Sequence, residues 1–305
     1  MRHIDRFRGC LLGLAVGDAV GATLEFSTRD TYEPITDMIG GGPFHLAPGE
    51  WTDDTSMALC LAKSLVDQIG FDAGHQMELY CRWAREGYLS STGERFDIGN
   101  TVAGALSTYR RTGDPFAGPV SILTAGNGSL MRLAPIPMFF FPNETAIERY
   151  AAESSRTTHG ARECIDACRL FAVILKRALA GKPKGAVVGE SALTFSGAPK
   201  VVEIAKCAYT DKDRSQIRGS GYVVECLEAA LWCFYRTETF ETAVLEAANL
   251  GDDADTTAAV CGQLAGAYYG ESGIPGRWLV KLVLREFIEK LADSLLSVGE
   301  MATSH

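Results

Sequence analysis

A chain of 305 residues, 47% apolar and 22% charged with no low-complexity stretch, has the make-up of a globular enzyme and can bury a large core. Its net charge of −9 argues against a nucleic-acid backbone as the main partner, although metal ions or backbone N–H groups can still meet a small phosphorylated ligand. Nine cysteines, an odd number without CxxC spacing, fit reduced thiols in a cytosolic core, and Cys164 and Cys168, one helical turn apart, read as packing residues.

The start of the chain, Met1-Arg2-His3-Ile4-Asp5-Arg6-Phe7-Arg8, is charged, and the apolar run behind it soon meets Gly17-Asp18. No targeting segment is expected, and the reading is a cytoplasmic protein. Apolar stripes at helical spacing predict helices over 57–66, 74–86, 159–180, 223–236, 239–248 and 276–297. Residues 136–141 are a candidate short strand, weakened by their prolines. The longest apolar run, 258–270, is too short to span a bilayer and reads as a helix buried on all sides. Loops are predicted at 27–51, 88–99, 112–130, 181–187, 196–221 and 249–254. The long loop before Trp51, with Gly40-Gly41-Gly42-Pro43, has the length of a functional one. With little period-two alternation, no linker-like shift in composition and no repeat of fixed period, one all-α domain over residues 1–305 is the simplest account.

Two acid-and-threonine clusters lie about 200 residues apart: Thr52-Asp53-Asp54-Thr55 and Gly251-Asp252-Asp253-Ala254-Asp255-Thr256-Thr257. Each sits where a loop ends and an apolar helix begins. Helix capping needs only one such side chain, and here several run together. Carboxylates this close repel one another unless a positive group sits among them, and neither cluster contains lysine or arginine. A hard divalent cation, or a pair, is the natural neutraliser. Oxygen ligands without histidine or cysteine favour Mg²⁺ or Mn²⁺ over zinc and copper. Counted from Asp253, an EF-hand lacks its glycine and final glutamate. Asp253-Ala254-Asp255-Thr256-Thr257 also fits the DxDx(T/V) pattern of aspartyl phosphatases, but it follows a helical segment rather than a buried strand.

Other loops have phosphate-friendly chemistry. Gly126-Asn127-Gly128-Ser129 is either a nest of N–H groups facing an anion or a tight Asn-Gly turn. Gly17-Asp18-Ala19-Val20-Gly21-Ala22 permits close backbone approach, and Glu25 follows it. Asp97-Ile98-Gly99-Asn100-Thr101 sets an acid and an amide before a helix, an N-cap by default. His159 stands at a loop-to-helix junction, where capping or packing is the plainer role. Several helix N-termini facing one spot would make a partly positive, N–H-rich cavity.

These pieces in this order resemble the ADP-ribosylglycohydrolase family, in particular its bacterial branch acting on dinitrogenase reductase. The matching segments are 17–26, 50–57, 96–101, 126–132, 158–159, 220–224 and 251–256, nearly the whole chain. The resemblance implies a many-helix all-α domain with a binuclear Mg²⁺ or Mn²⁺ site in a central cleft. The matching metal ligands would be Thr52, Asp53, Asp54, Asp253, Asp255 and Thr256. Glu25 would be the family's mobile-loop glutamate, and Gly126, Asn127, Gly128 and Ser129 its phosphate loop, with Met131 beside them. Asp97 and Asn100 would lie near the scissile ribose, and His159 and Tyr222 would line the cleft. Asp252 departs from the pattern, since relatives often have glycine there.

The chemistry that this resemblance implies is hydrolysis of an N-glycosidic bond. Glu25, Asp54 or Asp253 is the candidate general base, and Asp97 would orient a guanidinium leaving group by paired hydrogen bonds. The Phe-Asp-Ile-Gly-Asn context of Asp97 resembles the arginine-directed branch. The expected substrate is therefore a protein ADP-ribosylated on arginine, with ADP-ribose as product. The enzyme is expected to act as a monomer without a membrane span or nucleic-acid partner. Serine-linked or polymeric ADP-ribose, O-acetyl-ADP-ribose, or an inactive ADP-ribose-binding homologue are the alternatives.

Overall fold

Helical periodicity accounts for most of the chain. The computed structural model describes residues 3–189 and 195–303. They form α1 (His3–Gly21), α2 (Asp53–Asp67), α3 (Ala73–Glu86), α4 (Asn100–Thr112), α5 (Pro135–Phe139), α6 (Glu144–Arg156), α7 (Arg162–Leu179), α8 (Lys184–Val188), α9 (Pro199–Ala205), α10 (Val223–Arg236), α11 (Phe240–Ala248), α12 (Ala254–Tyr269), α13 (Gly276–Lys281) and α14 (Arg285–Thr303). No strand occurs among the described residues, and only two isolated backbone bridges are present, Gly41 with Leu46 and Gly126 with Tyr222.

The candidate strand at 136–141 is instead the buried helical turn α5. Pro135 stands at its start, where a missing N–H costs no hydrogen bond. The stripe over 276–297 splits into α13 and α14, and Leu284, at φ +53°, turns the chain between them. The predicted loops at 181–187 and 196–221 hold the short helices α8 and α9. Helix α6 is one-sided, but its buried face holds Ser154 and Ser155 beside Ile147 and Ala151, so few large apolar side chains mark it.

α1 and α12 form the centre of the core. Both are buried nearly all round, so neither shows the one-sided periodicity of a surface helix. α1 carries glycine at every fourth position: Gly9, Gly13, Gly17 and Gly21. A Cβ on Gly13 would stand 2.3 Å from the Gly262 carbonyl oxygen, and one on Gly17 2.1 Å from that of Ala258. The seam is reciprocal, since a Cβ on Gly262 would meet the Gly13 oxygen at 2.1 Å and one on Gly266 the Gly9 oxygen at 1.9 Å. Backbone therefore touches backbone along the seam, as small-residue rows at i, i+4 allow. The stretch His3–Leu24 is long and apolar enough to cross a membrane by length and composition, but 89% of its most apolar window is buried inside the protein.

This seam places the first turn of α12 beside the last turns of α1. α2 begins against the same spot, and its first residues, Asp53 and Asp54, face those of α12 across a cavity.

Candidate active site

The cavity has a volume of about 400 Å³ and opens to solvent. The first turns of α2, α4 and α12 line it, together with Glu25 and the 126–131 loop. The expected convergence of helix N-termini is thus present.

The first acid cluster is held from below by a residue not singled out as a ligand, Asp18 of α1. Its Oδ1 accepts from the Thr52 N–H (2.9 Å) and Oγ1 (2.9 Å), and its Oδ2 accepts from the Thr55 N–H (3.0 Å) and Oγ1 (2.6 Å). Asp18 therefore does for α2 what an N-cap side chain normally does, from a distant helix. Thr52 occupies the N-cap position but makes no side-chain cap bond, and neither does Asp253 at the start of α12. Capping does not explain either cluster. The aspartates after Thr52 are freed to face the cavity, while Thr52 lies beneath its floor, its hydroxyl between Asp18 and Asp255 Oδ2 (3.2 Å).

Across the cavity, Glu25, Asp253 and Asp255 each offer a carboxylate oxygen, all within 4.8 Å of one another. Sequence motifs placed Glu25 near a ligand set, and the geometry puts it within one. Its Oε2 accepts from the Ala254 N–H (3.0 Å), which anchors it on the N-terminus of α12. Asn127 Nδ2 donates to Asp253 Oδ2 (3.0 Å), and Thr256 Oγ1 donates to Asp54 Oδ1 (3.2 Å). Asp54 Oδ2 is buried with no hydrogen-bond partner.

No lysine or arginine among the described residues forms an ion pair with these acids. Burial, then repulsion from neighbouring carboxylates, holds Asp53, Asp54 and Asp255 well above the usual carboxylate range. Burial raises Asp253 as well. Glu25 is pushed up to about 8 by burial and then by Asp253 and Asp97, and Asp97 to about 7 by burial and then by Asp18 and Asp253. An all-oxygen set so starved of positive charge, with one orphaned carboxylate oxygen, fits a hard divalent cation.

The sequence model of the ADP-ribosylglycohydrolase family matches residues 1–304. The chain belongs to the ADP-ribosylglycohydrolase family. It is 47% identical over 292 residues to the ADP-ribosylarginine hydrolase Tri1 of Pseudomonas putida (strain GB-1), covering 96% of this chain and 78% of that protein. It is 33% identical over 302 residues to the ADP-ribosyl-[dinitrogen reductase] glycohydrolase of Rhodospirillum rubrum, covering 97% of each. A solved structure titled "ADP-ribosylglycohydrolase-related protein complex" superposes with a TM-score of 0.86 at 44% identity, covering 97% of this chain and 99% of that one.

Against the residue set drawn from the ADP-ribosylglycohydrolase motifs, the structure brings Asp97, Asn100, Gly126, Asn127, Gly128, Met131 and His159 to the cavity with the acids. Asp97 does not cap α4: Gly99 holds the cap position, and Asp97 lies half-buried at φ +51°. The 126–129 segment is not a two-residue hairpin turn, since neither Asn127 nor Gly128 has a positive φ. Nor is it a full nest. Gly126 N–H is used by the Thr124 carbonyl (2.9 Å) and Asn127 N–H by that of Gly221 (3.0 Å). The N–H groups of Gly128 and Ser129 make no bond within the described residues, and of the two residues only Gly128 lines the cavity.

Two members of the expected set turn elsewhere. The Ser129 hydroxyl points into the core, where it accepts from Ser155 Oγ (2.9 Å). Tyr222 does not line the cavity: its hydroxyl donates to Glu163 Oε2 (2.6 Å) and accepts from Lys200 Nζ (3.0 Å), while its backbone bridges to Gly126.

Asp252 is exposed and outside the cavity. It has φ +57°, the left-handed region that suits glycine and that aspartate tolerates better than most residues. Its role lies in its backbone: its N–H donates to Ser27 O and its carbonyl accepts from the Phe26 N–H, both at 2.8 Å. It straps the Glu25 loop to α12.

Proposed function

We propose that this chain is a metal-dependent hydrolase that removes ADP-ribose from modified arginine side chains of proteins by cleaving the N-glycosidic bond. The observation that carries this reading is the ring of carboxylates without a basic partner, orphaned Asp54 Oδ2 included, facing the unpaired N–H of Gly128 across one cavity. The arginine-directed names of relatives such as the Pseudomonas putida protein support the linkage.

Asp53, Asp54, Asp253, Asp255 and Thr256 would hold the cations, two Mg²⁺ or Mn²⁺, with Thr52 beneath them and Glu25 beside Asp253 and Asp255. When bound, such ions neutralise the acids, draw ribose hydroxyls together and acidify a water. The chain's own groups divide the remaining work. Glu25, fixed on the α12 N-terminus yet open to the cavity, is placed to take a proton from an attacking water. Asp97 lies at the cavity wall where paired hydrogen bonds would orient a guanidinium as it leaves. The free N–H of Gly128 would meet pyrophosphate charge. Asn100 and Met131 complete the wall.

The test is incubation of the protein with Mn²⁺ and peptides carrying ADP-ribose on arginine or on serine, followed by assay for free ADP-ribose. Release from the arginine peptide that stops in excess EDTA is expected, and full activity in EDTA would sink the metal-dependent reading. Asp97→Ala should slow release from arginine at least about tenfold more than release from serine. Equal effects would remove the role given to Asp97.

A further inference from the structure

Arg132 is the one lysine or arginine among the described residues that is fully buried. No carboxylate pairs with it. Its Nη1 donates to the Gly128 carbonyl (3.0 Å) and its Nη2 to Thr158 Oγ1 (2.7 Å), with Ser154 O and Thr157 Oγ1 at 3.4 Å. The guanidinium lies over the Tyr80 ring, 4.6 Å from its centroid, and Nε is buried without a partner. An uncompensated buried cation is costly, and a neutral donor could make the same bonds more cheaply. Its position directly behind the loop at the cavity wall gives the charge a use.

Thr158 connects Arg132 to the cavity. Its Oγ1 lies 2.9 Å from His159 Nδ1 and is fully buried. A guanidinium only donates, so the bond from Arg132 fills a lone pair of Oγ1 and leaves the hydroxyl proton to be placed. Among the described residues Nδ1 is the acceptor in reach. A proton on Nδ1 would strand the buried hydroxyl hydrogen. The imidazole proton therefore belongs on Nε2.

That edge of the ring faces the loop. A Cβ on Gly128 would stand 2.7 Å from His159 Cε1 and 3.1 Å from Nε2, and one on Gly126 3.5 Å from Nε2. The ring thus occupies the space that a side chain at 128 would need and lies within contact of position 126. His159 lines the cavity, and Nε2 has no partner among the described residues. Burial, then the charge of Arg132, pulls its pKa down to about 3, so the ring stays neutral. Nε2–H joins the unpaired N–H of Gly128 on the cavity wall.

We propose that Arg132, acting through Thr158, is a positioning residue that fixes His159 as a neutral Nε2–H donor aimed at a phosphate oxygen of the ADP-ribosyl group. The relay stands on geometry alone, and the phosphate assignment rests on the function proposed above.

The experiment is histidine-selective ¹⁵N NMR on the full chain with Mg²⁺, the His159 signal being assigned by its loss in His159→Gln. The expected wild-type spectrum shows an Nε2–H tautomer that does not titrate near neutral pH. Thr158→Val should lose that single tautomer and raise KM for ADP-ribosylarginine about tenfold (about 1.4 kcal/mol), with kcat within about threefold. Thr158→Ser should restore both. An Nδ1–H tautomer or an imidazolium in the wild type overturns the proposal, as does Thr158→Val with tautomer and KM unchanged. The wild-type spectrum decides even where Thr158→Val fails to fold. A wild type with the Nε2–H signal that fails to bind ADP-ribose at millimolar concentration would overturn the phosphate assignment and leave the relay standing.

Discussion

The middle of the α1–α12 pair and its end are opposites. In the middle, glycines bring two backbones into contact, and nothing there needs a ligand. At the end, the two helices and the residues flanking them deliver Asp18, Glu25, Asp253 and Asp255 to one place, where burial raises each acid and Asp54 Oδ2 has no partner. The difference shows how the fold divides its labour. The seam is self-sufficient and fixes position, while the end is held in a state that only an added positive charge completes.

The sharpest way to break this contrast is at the end. Asp54→Ala or Asp255→Asn should lower hydrolysis at least about a hundredfold while the helical circular dichroism spectrum persists, since a direct ligand matters more than an outer-shell one. Full activity in either variant would refute the metal assignment. The complementary break is in the seam. Gly262→Ala places a Cβ 2.1 Å from the Gly13 oxygen, against backbone that cannot swing aside. It should destabilise the fold by about 3 kcal/mol or more, read as a drop in denaturant midpoint, and a neutral result would mean the helices separate easily.

A third test sharpens the contrast through pH. Glu25 and Asp97 hold their protons more tightly folded than unfolded, so the cation-free protein binds extra protons between about pH 4.5 and about pH 8. Its stability in chelator should therefore fall as pH rises through that window. Saturating Mg²⁺ should flatten the slope by holding the carboxylates ionised in the fold. Melting curves with and without the ion measure the difference, a few degrees at the upper end of the window, and identical slopes would refute it. The smallest effect concerns the strap. Asp252→Gly should keep the φ +57° turn and change stability by less than about 1 kcal/mol. A large loss of activity there would show that the Asp252 carboxylate takes part after all.

Both acid clusters were legible in the sequence because their chemistry is local: consecutive acids without a base are conspicuous in any context. Helices α2, α3, α10 and α11 were legible from their one-sided stripes. Asp18 was not, because its four donors come from residues 34 and 37 positions away, and in sequence it is one acid among small residues. The inward turn of Ser129 depends on Ser155, 26 residues on. In the sequence Arg132 is one charge at the end of the 126–132 segment, and only its burial sets it apart. The glycine row of α1 was readable in principle at every fourth position, but without an apolar stripe it gave no sign of its partner.

That row also acts as a ruler. Interlocking backbones at four successive turns leave α1 and α12 one axial register, and the helix fixes angle as tightly as height. One residue inserted between Gly9 and Gly17 would swing Asp18 by about 100° around its axis, away from Thr52 and Thr55. The first turn of α2 would then lose all four of the bonds that Asp18 accepts, with no change to any residue of the cavity. The molecule's tolerance for changes in length therefore differs sharply along the chain. An exposed loop such as 113–114, with open space around Gly113, has room for an added residue, while the middle of α1, far from the chemistry, has none.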